Sequence, residues 1–475
     1  MINFNMPSKC DLINEDTKPV PYSKRQVGVI SLITLWVGME VNLGAMMIAG
    51  QLYPALSPLQ IYGIIFIGML GMAIILALVQ DMGVKYGIPF IVAIKASFGY
   101  KGAAIAGFFE CIPLVFWLGI NTWAGGEALS EIARVLFGVE NTIIGVIVFM
   151  CLQMYLCFYG IRLLKYCSWV ATPILLIMCI YAYVTLVGES GMSFGEILHM
   201  GGTEFSSANL PIFLAALVAY FGAWVGVMEK MQDVTRDCYS SDEKAKSWLK
   251  SNGKYVVAQM CGLLPTALLV NGLGVISNAT TGNWNPIIMF SEVFGSKSPA
   301  LAVGAQIFIC FALLSTNPVA NMYGPAITIS NFSKKKLSIR QAAIIFGLIA
   351  ILIQPWNLID SLNDIITYFG SFMGPIFAIS VVDYYIIRKR TYKLEDLYYS
   401  QGKYKYTGGF NSAAVLALII GIAVGFLLKE CMYVASIIAG GIAYYILMHF
   451  WYLKKHPEVK EDEAEAQETG EGAAY

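Results

Sequence analysis

The chain has 475 residues, 57% of them hydrophobic and only 13% charged, about half the charged share of a soluble domain. A water-soluble core cannot hide that much apolar surface, and the loops and tails are too short for a kinase, nuclease or dehydrogenase module, so the chain reads as a membrane protein and not an enzyme. Net charge is zero and no basic face lies outside the loops, which argues against nucleic acid as a partner.

In chain order, residues 1–26 form a charged tail without the charged-apolar-small pattern of a cleaved signal. Apolar runs then predict spans near 27–50, 57–80, 103–133, 141–160, 167–187 and 209–229. Six more follow near 255–278, 300–323, 340–356, 364–387, 412–428 and 432–453. Lysines and arginines test this count, because they should gather on alternate loops. Only Arg134, Lys297 and Lys429 of the 31 fall on the opposite side. The prediction is therefore twelve crossings of the plasma membrane, with both termini cytoplasmic. Residues 457–475 are acidic and rich in Gly, Ala and Glu, and read as a disordered cytoplasmic tail. The ten cysteines show no C-x-x-C spacing and the three histidines are far apart, so neither disulfides nor a thiolate or imidazole metal centre is indicated. No metalloprotease or nucleophile-elbow motif is present.

Polar groups and irregular backbone at bilayer depth are costly unless they line a cavity or meet protein, so they mark where function sits. The first span places Glu40 and Asn42 between Gly38 and Gly44. The sixth carries Gly222, Trp224, Gly226 and Glu229, and both spans read Trp-Val-Gly shortly before a glutamate. Glycine-interrupted helices at matching places in two halves point to a transporter site; the alternative is close helix packing. In the third span Trp117 and Asn121 are four apart and share a face, an aromatic plane beside an amide, suited to a flat ring with polar edges. The plainer reading is a packing aromatic and an amide that ties two helices together. In the eighth span Ala312, Ser315 and Thr316 form one stripe, and Pro318 removes the helical bond to the carbonyl of Leu314. Hydroxyls and freed carbonyls suit a small hard cation, and sodium would fit; the alternative is hydroxyls bonded back to their own helix.

These segments resemble the nucleobase-cation-symport family 1, transporters of cytosine, uracil, allantoin, hydantoins and related vitamins, and feel closest to the hydantoin and allantoin members. The resemblance runs along nearly the whole chain. It rests on Lys18-Pro-Val-Pro, Tyr86-Gly-Ile-Pro-Phe, Ser97-Phe-Gly, Phe116-Trp-Leu-Gly-Ile-Asn-Thr-Trp, Trp284-Asn-Pro, Ser315-Thr-Asn-Pro-Val-Ala-Asn and Asp383-Tyr-Tyr. It implies an all-α polytopic fold of the leucine-transporter type: two inverted five-helix repeats, over 27–190 and 209–388, with two peripheral helices over 411–453. It further implies a ring held between Trp117 and Trp224, with Asn121, Asn321 and Asn42 on its edge and Gly222 counted with the same site. Sodium, the coupling ion, would bind Ser315 and Thr316 hydroxyls and the carbonyls of Gly38, Val41 and Ala312. No other cofactor is expected.

Two departures matter. Many relatives carry Gln where this chain has Asn121 and Asn42, so each arm is one methylene shorter, which leaves room for a larger substrate or a bridging water. Glu40 and Glu110 are carboxylates at membrane depth outside the family pattern. They read either as pairs with polar groups elsewhere or as a coupling or substrate-amine contact. The expected activity is sodium-coupled symport of a planar heterocycle into the cell by alternating access. The alternatives are a proton-coupled permease for nucleobases or vitamin precursors, and a sodium-coupled amino-acid symporter of the same fold.

Overall fold

The computed structural model describes residues 2–13, 15–159, 161–332 and 337–456, and among them the chain is helical apart from two isolated bridges. The first apolar run is two helices, α1 (Val29–Glu40) and α2 (Leu43–Gln51), bent by 54°. The local cause lies in Asn42. Its side-chain oxygen accepts the Gly44 N–H at 2.8 Å, so it caps a new helix in the middle of an apolar run.

α3 (Pro58–Tyr86) starts on a Ser57/Gln60 capping box and ends at Gly87, whose φ of 69° suits a left-handed cap. There follow α4 (Ala103–Phe137), α5 (Thr142–Tyr159), α6 (Ile161–Ser190), α7 (Leu210–Met228) and α8 (Trp248–Thr281). α4 and α5 approach closely because a β-carbon on Gly126 or Gly145 would run into the other helix's backbone. α9 (Pro286–Gly295) is a short helix capped by Asn285. α10 (Pro299–Asn317) passes at Pro318 into a π-helical turn, Pro318–Tyr323, and continues as α11 (Gly324–Phe332). Last come α12 (Ile339–Ile353), α13 (Leu362–Val381) with a second π turn, Val382–Ile387, then α14 (Ser412–Leu427) and α15 (Met432–Ile446).

Each of the twelve predicted spans meets a helix, but the lengths divide them. Among the described residues, eight helices are long and apolar enough to cross a bilayer, or nine with α1 and α2 taken as one bent span. Span four of the sequence reading corresponds to α5, 18 residues long, and spans nine and eleven correspond to α12 and α14, shorter apolar helices of 15 and 16 residues. At ~1.5 Å per residue a 15-residue helix such as α12 covers roughly 22 Å, less than the ~30 Å hydrocarbon core. Hydropathy registers composition and does not see that shortfall. α9 was not anticipated as a helix, and the acidic tail predicted for 457–475 lies outside the described residues.

Charges cluster where α3 ends, α8 begins and α13 finishes. Buried Asp81 accepts from Arg390 Nε and Nη2 (2.7 and 3.0 Å), the Tyr384 hydroxyl (2.9 Å) and Asn252 Nδ2 (2.6 Å). Asp383 likewise holds Arg388 at 2.8 Å and accepts from Tyr444 at 2.7 Å. The Asp383-Tyr-Tyr motif is thus an anchoring device at the end of α13. Replacing Arg390 with Met leaves Asp81 buried without its cation, at an expected cost of about 3–5 kcal/mol. Thermal unfolding of the detergent-solubilised protein should show this as a lowered midpoint, largely restored when Asp81→Asn is added.

Candidate substrate and ion site at the first helix break

The bend in the first span frees backbone oxygens. Asn42 N–H, the helical partner of the Gly38 carbonyl, bonds instead to the Glu40 carbonyl at 2.7 Å. Gly44 N–H is taken by the Asn42 side chain, and Met46 N–H bonds back only as far as the Asn42 carbonyl. The carbonyl of Gly38 therefore loses its usual i+4 donor, and no backbone bond joins Ala45 N–H to the Val41 carbonyl, the condition under which a broken helix offers oxygens to an ion.

Trp117 stands directly against this break. A β-carbon on Gly44 would fall 2.5 Å from the Trp117 six-membered ring and 3.2 Å from the Asn42 side-chain oxygen. Only glycine lets the indole lie so near the start of α2. Phe116 meets Trp117 edge-on at 6.2 Å and Phe369 of α13 at 5.3 Å. α4 and α7 come together where Gly226 faces Leu114 and Pro113. Trp117 lies three residues beyond Leu114, and Trp224 two residues before Gly226. Each tryptophan is buried and each has its indole N–H unpartnered. Trp224 also packs on Trp36 at 6.4 Å, so the two tryptophans that head the repeated Trp-Val-Gly sequence are neighbours. α1 and α7 both stop at the glutamate that follows that sequence, or within a residue before it.

The amides converge on a residue the sequence reading passed over. Asn317 Oδ1 accepts from Asn321 Nδ2 at 2.8 Å and from Asn121 Nδ2 at 3.4 Å. Its own Nδ2 donates to Gln153 Oε1 at 2.5 Å and the Leu118 carbonyl at 3.3 Å. Gln153 Nε2 continues to the Thr122 hydroxyl at 2.8 Å. This wall joins α4, α5 and the π turn after α10. Asn317 lies in the Ser315-to-Asn321 motif, four residues before Asn321, and that spacing was the available signal.

Ser315 and Thr316 hydroxyls both donate to the Ala312 carbonyl, at 2.7 and 2.9 Å. This is the bonding back to their own helix that the plainer reading expects, and it sets the three oxygens on one helical turn. α6 packs against both α1 and α10, and Thr172 Oγ1 lies 3.5 Å from where a β-carbon of Gly38 would stand. At Gly222 the side a β-carbon would take is filled by the Ile366 carbonyl of α13, so this glycine lets the two helices approach closely. Glu110 pairs with Lys230 at 3.1 Å, both nearly buried. Glu40 is fully buried and accepts from Asn271 Nδ2 at 2.8 Å.

An all-helical membrane fold with a broken span beside buried indoles and amides defines a secondary-transporter class of protein. Residues 19–448 match the family of permeases for cytosine/purines, uracil, thiamine and allantoin, and the chain belongs to that family. A hydantoin permease of Microbacterium maritypicum is 30% identical, covering 95% of this chain and 92% of its own. An allantoin permease of Bacillus subtilis is 27% identical over 86% of each chain. Among solved structures, the inward-facing conformation of Mhp1 superposes with a TM-score of 0.88 at 29% identity, covering 95% of this chain and 96% of that one. Mhp1 closed around bromovinylhydantoin, a nucleobase-cation-symport-1 family transporter, gives 0.85 at 30% identity, covering 95% of this chain and 98% of that one. A sodium-coupled sialic acid symporter shares the fold, with a TM-score of 0.62, 12% identity and 90% coverage of both chains.

Asn317→Leu should strand the amides of Asn121, Asn321 and Gln153 at once. At about 1–3 kcal/mol per orphaned buried group, the expected result is a lower midpoint of thermal unfolding, without any ligand added.

Proposed function

We propose that the protein imports a neutral, planar, nucleobase-like heterocycle of the hydantoin or allantoin class across the plasma membrane, by sodium-coupled symport with alternating access and with both termini in the cytoplasm. One observation carries the reading. Two buried indoles, Trp117 and Trp224, have unpartnered N–H groups, and Asn121, one helical turn from Trp117, joins Asn317 and Asn321 in a wall of amides. A flat ring bearing carbonyl and N–H edges satisfies donors and acceptors of that kind while offering its faces to the indoles. An amino acid would bring a carboxylate, which calls for half-helix ends or cations rather than two aromatic planes. Asn42 stands next to both the indole and the break, with one of its amide groups already committed to the cap.

The ion would join the freed carbonyls of Gly38 and Val41 to the Ala312, Ser315 and Thr316 oxygens. A cation bridging α1 and α10 fixes the bend on which Trp117 rests, and the state that holds the ion then holds the ring better; by linkage the ring strengthens the ion equally. The sodium gradient supplies the work, ~2.3 kcal/mol per charge for each 100 mV of potential, apart from the concentration term. Names of relatives support the substrate class: a hydantoin permease, an allantoin permease, and Mhp1 with bromovinylhydantoin bound.

The test is uptake of radiolabelled hydantoin and allantoin into proteoliposomes holding the purified chain. Sodium-dependent accumulation of one of them, lost when choline replaces sodium at fixed pH and voltage, is the expected result; equal accumulation in choline rejects the coupling. Trp117→Ala should remove stacking worth ~1–3 kcal/mol, weakening binding of that ring about fivefold to more than a hundredfold. Binding of unchanged strength in folded mutant protein would remove the indole from the site.

A further inference from the structure

Glu40 is the last residue of α1 and has no exposed surface. The other carboxylates at this depth have recognisable company: Glu110 has Lys230 at 3.1 Å, and Glu229 borders the same pair and accepts from the Tyr433 hydroxyl at 3.3 Å. Glu40 forms no ion pair among the described residues. Its partner is Asn271 of α8, fully buried as well, whose Nδ2 donates at 2.8 Å to Glu40 Oε1 and at 2.8 Å to the Tyr220 hydroxyl of α7. Two oxygens of this trio are left over. Glu40 Oε2 and Asn271 Oδ1 are both buried and both without a hydrogen-bond partner.

These facts ask for a positive charge. A carboxylate away from water is expensive unless compensated. Glu40 also stands at the C-terminal end of its half-helix, where the backbone dipole is negative and favours a cation over an anion. Three spans meet through the Asn271 amide, which brings a carboxylate, an amide carbonyl and a phenol together. The terminal torsions that turn a carboxylate or an amide are soft, so small rotations of Glu40 and Asn271 can aim both orphaned oxygens at one point. Such a set, hard and carrying one negative charge, suits a small monovalent cation and leaves the pocket neutral.

We propose that Glu40, Asn271 and Tyr220 form a second sodium-binding site, between α1, α7 and α8. It is distinct from the set formed with Ser315 and Thr316. Glu40 and Gly38 are two residues apart on one helix and so point about 200° apart around it; Gly38 faces Thr172 of α6 and Glu40 faces Asn271 of α8. The inference adds an ion to the proposed symport and rests on that reading for its part in transport, but the site is testable by binding alone.

Radiolabelled sodium binding to the purified full-length protein, at fixed pH, counts the ions. Two per chain are expected for the wild type, one for Glu40→Gln, and one for Thr316→Ala. Glu40→Gln keeps a side-chain oxygen for the Asn271 bond while removing the charge, and the sodium retained at the other site reports that the variant is folded. Should Glu40→Gln not fold, Tyr220→Phe should weaken one of the two sites several-fold and leave the other unchanged. Sodium binding by Glu40→Gln equal to wild type, or by Tyr220→Phe where that variant is the one measured, overturns the site. If Thr316→Ala still binds as much sodium as wild type while Glu40→Gln loses an ion, the second site stands and the assignment of the coupling ion to Ser315 and Thr316 falls.

Discussion

Hydrocarbon offers no hydrogen bonds, so each peptide group released from a helix inside a bilayer has to find protein, an ion or a ligand. The interruption between Glu40 and Leu43 is the place where this requirement shapes the molecule. Asn42 meets part of the debt by capping α2, and Glu40's carbonyl takes the amide that Gly38 would have received. The remaining oxygens lie beside the ring of Trp117 and near the α6 helix that also supports α10. On the proposed reading, substrate recognition and ion recognition would both follow from one local failure of helical bonding, compensated from neighbouring elements.

Much of this was legible from residue order. A glutamate and an asparagine among glycines in an apolar run can only be tolerated at such a break, and the structure bends there by 54°. The face shared by Trp117 and Asn121 follows from four-residue spacing. What was hidden depends on partners far away in sequence. Lys230 as the companion of Glu110, Asn271 as that of Glu40, and Gln153 as that of Asn317 come from other helices, and a single Gln in a greasy stretch announces nothing. A glycine beside a tryptophan reads the same whether it opens to a ligand or to another helix, and the Ile366 carbonyl beside Gly222 could not be foreseen. Apolar composition and apolar length are separate quantities, and α12 and α14, at 15 and 16 residues, satisfy the first more fully than the second.

Polar chemistry is partitioned between two kinds of place. Arg390 with Asp81 and Arg388 with Asp383 gather where helices end, tying α3, α8 and α13 through charges that have their counterions. Deeper in, the amides around Asn317 carry no charge and can be satisfied entirely among themselves or by a neutral guest. Glu40 fits neither pattern. It is a formal charge placed among neutral dipoles, and that mismatch separates it from the structural ion pairs.

The contact between Gly44 and Trp117 has a mechanical corollary. Two peptide units separate the carbonyl of Val41 from the glycine on which the indole rests, so a lever joining an ion held there to the aromatic plane would be about as short as a protein can make it. Tilting α2 by a few degrees would rock the tryptophan directly, with no relay of side chains between cause and effect. Signalling across this pocket can then be immediate and stiff, and bulk added at position 44 would jam it at its pivot.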